Sequence, residues 1–353
     1  GAAAETSPCA SEEPWNVTTI ALVDGPAGLR LKREYQVDNG EIVASDFLAA
    51  LEGGFFSKPQ EKRGTTYYQF CTAIPVGTLL AQSWDVELIK RVGEMIGHEM
   101  ELFNVTLWLA PGMNIHRNPL CGRNFEYYSE DPYLAGEIAA AFINGVQSQH
   151  VGTSIKHFAA NNQEYHRMSN SSEADEIYFP AFETAVKKAQ PYTFMCSYNQ
   201  INGTFASENK WLLTDVLRND WGFEGYVMSD WGAVNDRVKG LEAGLELEMP
   251  GSNGTNDTLI IEAVKNGALK EEVLDQAVER ILNIIYKYAD HRTPQEFTME
   301  KDHEEARRIA EESMVLLKNA DQILPLKASE KVAFVGGFAK KPRFQGGGSS
   351  HIN

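Results

Sequence analysis

The chain has 353 residues, which is enough for one large domain and part of a second. Hydrophobic residues make up 43% of it, an ordinary share for a globular protein with a sizeable core. The formal net charge of −17 argues against nucleic acid or an anionic membrane surface as a partner.

Targeting and redox signals are sparse. No run of about 18 apolar residues occurs, so the sequence predicts no membrane-spanning helix. The first residues lack the charged and then apolar pattern of a signal peptide, so we expect a cytoplasmic protein, with secretion as the alternative if the N-terminus is trimmed. The cysteines at 9, 71, 121 and 196 have no C-x-x-C spacing, which argues against a metal site or disulfide framework but leaves one bridge open.

Short apolar runs alternate with helical patterns along most of the chain. The predicted strands are 18–23, 75–81, 105–109, 153–158, 193–197, 226–228 and 245–249. The predicted helices are 85–101, 133–149, 179–188, 211–221 and 259–288, the last split in two at Gly267. This alternation predicts parallel βαβ units in an α/β fold, a TIM-like (β/α) barrel one strand short, with an open doubly wound sheet as the alternative.

Two regions depart from that pattern. Residues 31–70 are polar and irregular, which indicates a functional insertion or poor order. After residue 291 a charged helix is predicted at 304–318 and a new strand at 331–336. We expect a barrel over 1–290, a linker with a helix over 291–325, and the start of a second α/β domain over 326–353. Since 326–353 is too short to bury a core, this second domain is expected to be truncated or to continue on another polypeptide.

Asp230 and Trp231 follow the short buried strand 226–228. In a (β/α)8 barrel the C-terminal strand ends carry the chemistry. Asp230 is therefore a candidate nucleophile or base beside an aromatic platform for a ring face. The structural alternative is that Asp230 caps the next helix.

Other strand ends add charged and aromatic residues. These are Asp24 and Arg30, Arg117 and Arg123, Lys156 with His157 and Arg167, and Tyr198. Parallel strands would bring them to one rim, where such a set suits a neutral polyhydroxylated ligand. Nearby cations would also hold Asp230 ionised, as a nucleophile in covalent glycoside hydrolysis must be.

Each of these residues has a structural alternative. Asp24 could cap a turn, and Arg123 could pair with Glu126 or Asp131. His157 could be a satisfied core histidine, and Tyr198 could belong to the core.

The segments 24–30, 111–131, 156–164 with Arg167, 197–203 and 228–232 resemble glycoside hydrolase family 3, most closely its β-glucosidase-like members. Residues 315–326 resemble the family's passage from the barrel to a second domain, an α/β sandwich. The resemblance implies a retaining, exo-acting β-glycosidase, most closely a β-glucosidase, that cleaves terminal glucose from oligosaccharides or aryl and alkyl glycosides without metal or cofactor.

Residue roles follow from the same resemblance. Asp230 would be the nucleophile, and Trp231 would pack beside the sugar. The implied sugar subsite consists of Asp24, Arg30, Arg123, Lys156, His157, Arg167 and Tyr198. Glu164 would support the cations.

Three departures from the family are visible. The family's general acid/base comes from the second domain, so no residue here is assigned that role, and a second domain or chain is expected to supply it. Residues 173–178 form a shorter stretch than the family pattern, and so does the segment before residue 18.

Several alternative functions are compatible with the sequence. β-Xylosidase, arabinosidase or another exo-glycosidase activity is the alternative within the family, and a homo-oligomer is compatible with the sequence. His166 has no aspartate beside it, which disfavours the N-acetylglucosaminidase branch. From other classes, the alternatives are a non-catalytic carbohydrate-binding protein and a metal-dependent hydrolase using His116, His157 and His166.

Overall fold

A computed structural model of the chain describes residues 5–6, 17, 19–31, 33–43, 64–166, 168, 170–171, 174–289, 296, 298–342 and 348–352. Strands β1 to β12 are Glu5–Thr6, Ala21–Val23, Glu34–Asp38, Glu41–Ile42, Thr65–Tyr68, Leu107–Trp108, Gly152–Phe158, Asn170–Ser171, Thr193–Cys196, Gln200–Ile201, Thr204–Phe205 and Tyr226–Met228. Helices α1 to α11 are Gly77–Ala81, Val86–Leu102, Pro132–Gln147, Ala174–Ile177, Pro180–Ala189, Trp211–Asp220, Arg237–Ala243, Thr255–Lys265, Glu271–Ala289, Met299–Ser313 and Gly337–Lys340.

The central sheet has the strand order β1-β2-β6-β7-β9-β12. Strands β2, β6, β7, β9 and β12 run parallel to one another, whereas β1 is antiparallel to β2. The parallel order follows the chain without reversal, as in a barrel and unlike a doubly wound sheet. The predicted α/β fold with a parallel sheet is confirmed. Among the described residues, no pairing joins the two ends of the sheet into a closed barrel.

The predicted seventh strand, 245–249, is present only as an extended segment. Leu247 forms a single parallel bridge with Met228. The Ser229 amide donates to the Leu247 carbonyl at 2.9 Å, and the Leu247 amide donates to the Val227 carbonyl at 3.1 Å. This segment therefore continues the sheet beyond β12 without forming a regular strand.

Helices α2 and α3 begin within one residue of the predicted positions. Asp85 caps α2 by accepting the amides of Glu87 and Leu88, and Asp131 caps α3 ahead of Pro132. Helices α2 and α3 approach each other closely at Gly93 and Gly145. A Cβ on Gly145 would lie 2.2 Å from the Lys90 carbonyl oxygen, so only glycine permits this approach.

The prediction of a strand at 75–81 is wrong, because Gly77–Ala81 is the helix α1. A short apolar run does not by itself distinguish a strand from a buried helical turn. Here the helical form is fixed by tertiary contacts, since the Thr78 hydroxyl donates to the carbonyls of Asn124 and Tyr127 at 2.6 and 3.1 Å.

The polar segment 31–70 contains an antiparallel sheet in the order β4-β3-β5. Tyr35 and Tyr67 stack across it with ring centroids 5.4 Å apart. The expectation of irregular structure is therefore wrong for β3, β4 and β5, while a functional insertion stays a prediction. Residues 44–63 lie outside the described part.

The end of the chain also differs from the expectation. Helix α10 stops at Ser313, before the predicted end at 318. The predicted strand 331–336 is exposed and has no regular secondary structure, and within the described residues no neighbouring strand pairs with it. A strand forms only when another strand takes up its backbone hydrogen bonds. Farther on, Ile352 is buried against Gly28 in the main core.

Cys71, Cys121 and Cys196 are free thiols, and Cys9 lies outside the described residues. Within the described ranges, no helix combines the length and apolar character needed to cross a bilayer.

Candidate active site

The candidate site residues lie at the C-terminal ends of neighbouring parallel strands. Asp24 follows β2, Lys156 and His157 lie near the end of β7, Tyr198 follows β9, and Asp230 follows β12. Arg123 lies in the loop after β6. Because these strands are adjacent in the sheet, the side chains meet at one edge, as predicted. Arg167 lies outside the described residues.

Asp230 is buried, and its two carboxylate oxygens have different surroundings. Oδ1 accepts the Trp231 amide at 2.6 Å and the Tyr198 hydroxyl at 3.0 Å. Oδ2 has no hydrogen-bond partner among the described residues and lies 3.5 Å from His157 Nε2. Asp230 does not cap the next helix, because Asp236 caps α7 by accepting the Lys239 amide.

The pKa of Asp230 differs from the expectation that nearby cations would lower it. Burial raises it, and this effect outweighs the opposing effects of Arg123, the Trp231 amide, Lys156 and Tyr198, so the pKa lies above its ordinary value. The cations act in the expected direction, but among the described residues they do not lower the pKa overall.

Asp24 is paired with the buried Lys156 ammonium at 2.6 Å. Burial acts to raise the pKa of Asp24, but the charge and hydrogen bond of Lys156 and the Gly25 amide outweigh it, so the pKa lies below its ordinary value. Asp24 is therefore an ionised group held at the rim. Beside it, Arg30 is buried, and its Nη1 has no partner among the described residues, which leaves a donor for a ligand oxygen.

Arg123 connects Glu126 with His157. Its Nε donates to the buried Glu126 carboxylate, and its Nη2 lies 3.0 Å from His157 Nε2. The other ring nitrogen, Nδ1, lies 3.0 Å from the Tyr127 hydroxyl, which contacts the Asn161 amide at 3.1 Å. The structural alternative for Arg123, a pair with Glu126, thus holds alongside its contact with the site.

The backbone of His157 is held by the Asn114 side-chain amide. Asn114 Oδ1 accepts the His157 N–H at 2.8 Å, and Asn114 Nδ2 donates to the His157 carbonyl at 2.9 Å. Both residues are buried. This two-point contact fixes the end of β7 and hence the direction of the imidazole.

Sequence reasoning missed the supporting residues Asn114, Glu126, Tyr127 and Asn161 as parts of the site. All of them lie inside the motif segments, so the signal was their position beside Arg123 and His157. No group of three or more His, Cys, Asp or Glu side chains in the described part of the chain could hold a metal ion.

Comparison with known proteins identifies the family. The model of the glycosyl hydrolase family 3 N-terminal domain matches residues 59–284. The chain is 50% identical to a thermostable β-glucosidase B of Acetivibrio thermocellus over 96% of this chain and 43% of that protein. It is also 50% identical to an exo-α-(1→6)-L-arabinopyranosidase of Bifidobacterium breve, over 94% of this chain and 42% of that protein.

A solved structure of a β-glucosidase is also similar to this chain. The β-glucosidase 3B of Thermotoga neapolitana in complex with glucose has a TM-score of 0.83 at 42% identity, covering 95% of this chain and 45% of that one. The chain spans less than half the length of the curated relatives described above. The family resemblance seen in the motifs is confirmed: the chain belongs to glycosyl hydrolase family 3.

Proposed function

We propose that the full-length protein is a retaining, exo-acting β-glycosidase with Asp230 as its nucleophile. Its proposed specificity is that of a β-glucosidase. The observation that carries the proposal is the asymmetry of Asp230. Its Oδ1 is held by Trp231 and Tyr198, while its buried Oδ2 has no hydrogen-bond partner among the described residues. The similarity to proteins named β-glucosidases supports the choice of glucose.

In the proposed reaction Oδ2 bonds to the anomeric carbon as the bond to the leaving oxygen breaks. That oxygen takes a proton from a general acid, and water then cleaves the glycosyl ester with retention of configuration. The Lys156 ammonium and the Arg123 guanidinium favour the anionic form of Asp230. Burial acts in the opposite direction and keeps the pKa of Asp230 above its ordinary value.

The sugar subsite of the proposal keeps the residues of the family pattern. Asp24 would accept from sugar hydroxyls, while Lys156 and Arg30 would donate to them. Trp231, half-buried beside Asp230, would cover one face of the ring. Arg167 is proposed for the same subsite on the motif alone.

The general acid/base is proposed to come from a second domain or a second chain. Two other acidic groups described at the site, Asp24 and Glu126, each pair with a cation. A carboxylate in an ion pair is a poor proton donor near neutral pH. A retaining pair also needs its carboxyl groups about 5–5.5 Å apart.

A second candidate is another exo-glycosidase activity, which the relatives named exo-α-(1→6)-L-arabinopyranosidases favour. A panel of aryl glycosides, hydrolysed by the full-length protein, separates the candidates. We expect the aryl β-glucoside to be cleaved fastest and the β-anomer of glucose to form first in the NMR spectrum. A faster rate on the arabinopyranoside would favour the second candidate.

The same assay tests the alternatives from other classes. Binding of glucose without hydrolysis of any glycoside would overturn the proposal and favour a non-catalytic carbohydrate-binding protein. Since the proposed chemistry needs no metal, we expect the activity to survive a strong chelator. Loss of activity with the chelator, restored by a divalent metal, would contradict this.

A further inference from the structure

The buried His157 ring lies between residues whose hydrogen-bonding roles are restricted. Arg123 Nη2 is 3.0 Å from His157 Nε2. A guanidinium has only donors, so Nε2 must be the acceptor in this contact and carries no hydrogen. A neutral imidazole then carries its hydrogen on Nδ1, which faces the Tyr127 oxygen at 3.0 Å.

Tyr127 can accept that hydrogen. Burial keeps the pKa of Tyr127 well above its ordinary value, so the group is a neutral hydroxyl with lone pairs to offer. Its other contact, at 3.1 Å, is the buried Asn161 side-chain amide. Whichever way that amide is turned, one lone pair of Tyr127 is left for His157 Nδ1–H.

The contact with Arg123 disfavours the opposite tautomer, and that tautomer would also impair the nucleophile. A hydrogen on Nε2 would face the Arg123 donor, which Glu126 holds in place through Nε. The same hydrogen would be next to Asp230 Oδ2, 3.5 Å from Nε2. A donor to a carboxylate stabilises its charge and occupies a lone pair, and both effects weaken a nucleophile.

We propose that Tyr127 and Asn161 are positioning residues that fix His157 in its Nδ1–H tautomer and thereby keep Asp230 Oδ2 clear of a proton donor. The contribution to catalysis depends on the proposed role of Asp230 as nucleophile, whereas the tautomer does not. Glu126 acts in the same arrangement by holding Arg123 against Nε2.

Neutron diffraction on deuterium-exchanged crystals of the full-length protein tests the tautomer directly. We expect deuterium on His157 Nδ1 and none on Nε2. Deuterium on Nε2, alone or together with Nδ1, would overturn the proposal. This readout does not depend on glycosidase activity, so it is unaffected if the proposed function fails.

The kinetic test uses Tyr127→Phe, which removes the acceptor for Nδ1–H and keeps the aromatic ring. We expect the rate of covalent labelling by a 2-deoxy-2-fluoro glucoside to fall about tenfold, as for one lost hydrogen bond. The Kd for glucose, measured calorimetrically, should change by less than about twofold.

The control is Tyr128→Phe, which removes a neighbouring buried hydroxyl that makes no described contact with His157. Its labelling rate should match that of the wild type. An equal labelling rate in Tyr127→Phe, in a protein with an unchanged melting temperature, would overturn the positioning role. So would a slow Tyr127→Phe variant in which neutron diffraction still finds deuterium on Nδ1 alone.

Discussion

Asp230 and Glu246 are both buried carboxylates near β12, yet their surroundings are opposite. Glu246 Oε1 accepts from Arg218 at 2.8 Å and from Arg280 at 2.7 Å. Its Oε2 accepts the Val227 amide at 2.6 Å. Asp230 Oδ2 has no such partner among the described residues. The Glu246 carboxylate is therefore fully used in structural contacts, whereas Asp230 keeps one oxygen available for chemistry.

Glu99 is an intermediate case. It is buried and accepts the Thr72 amide at 2.9 Å and the Thr72 hydroxyl at 2.5 Å, all neutral donors. Burial raises its pKa to about 7, the Thr72 hydrogen bonds oppose this, and nearby Asp302 adds to it. Without a cation beside it, a buried carboxyl group keeps its proton over a wider pH range.

The largest effect is expected from Asp230→Asn in the full-length protein. Amides are poor nucleophiles, so kcat for aryl glucosides should fall by at least about 10⁴-fold. The melting temperature should not fall, because the variant removes a buried charge. Wild-type turnover in this variant would contradict the nucleophile role.

Glu246→Gln should lower the stability and leave kcat nearly unchanged, the reverse of the expectation for Asp230→Asn. The largely buried Arg218 and the partly buried Arg280 lose their anion, so we expect the free energy of unfolding to fall by roughly 3–5 kcal/mol. The kcat of the protein that remains folded should be nearly unchanged. Denaturant unfolding and titration of active sites measure the two quantities, and a large drop in kcat without destabilisation would place Glu246 in the chemistry instead.

A smaller, pH-dependent effect is expected at Glu99. The native state holds the Glu99 proton up to about pH 7, whereas the unfolded chain releases it near 4.5. Between these values the native state binds more protons, so the stability contributed by this group falls as the pH rises, by at most roughly 3 kcal/mol.

Glu99→Gln should flatten this pH dependence of the free energy of unfolding. The control is Glu94→Gln on the same helix, whose exposed side chain lies 4.0 Å from Lys90. Identical pH profiles for wild type and Glu99→Gln would show that the group ionises normally in the native state.

The smallest effect is expected on the exposed face of α10. Arg308 bonds with Glu305 and Glu312 in solvent, where such pairs contribute little. The melting temperature of Arg308→Ala should equal that of the wild type within experimental error. A marked drop would mean that α10 depends on its surface charges.

Much of the site was readable from the sequence because strand ends carry chemistry in parallel α/β folds. Asp24, Tyr198 and Asp230 were found because each follows a short buried run, and Lys156 was found because it lies near the end of one. The contacts between the site residues and their supporting residues could not be predicted from the sequence. No pattern predicts that Tyr127 approaches His157, since 30 residues separate them and only the packed fold brings them together.

The errors have similar causes. Residues 75–81 carry apolar side chains that suit a strand or a buried helix, and contacts with the loop at 124–127 select the helix. Residues 331–336 have strand-like composition, but composition does not supply the neighbouring strand that would pair with them. The pKa of Asp230 was misjudged because charge is visible in a sequence and burial is not.

Mechanism-based labelling of the full-length protein tests the nucleophile assignment most directly. After incubation with a 2-deoxy-2-fluoro glucoside, we expect peptide mass spectrometry to find the fluoroglucosyl group on the peptide with Asp230, and no label in Asp230→Asn. A label on a different carboxylate, or hydrolysis with inversion and no adduct, would contradict the assignment.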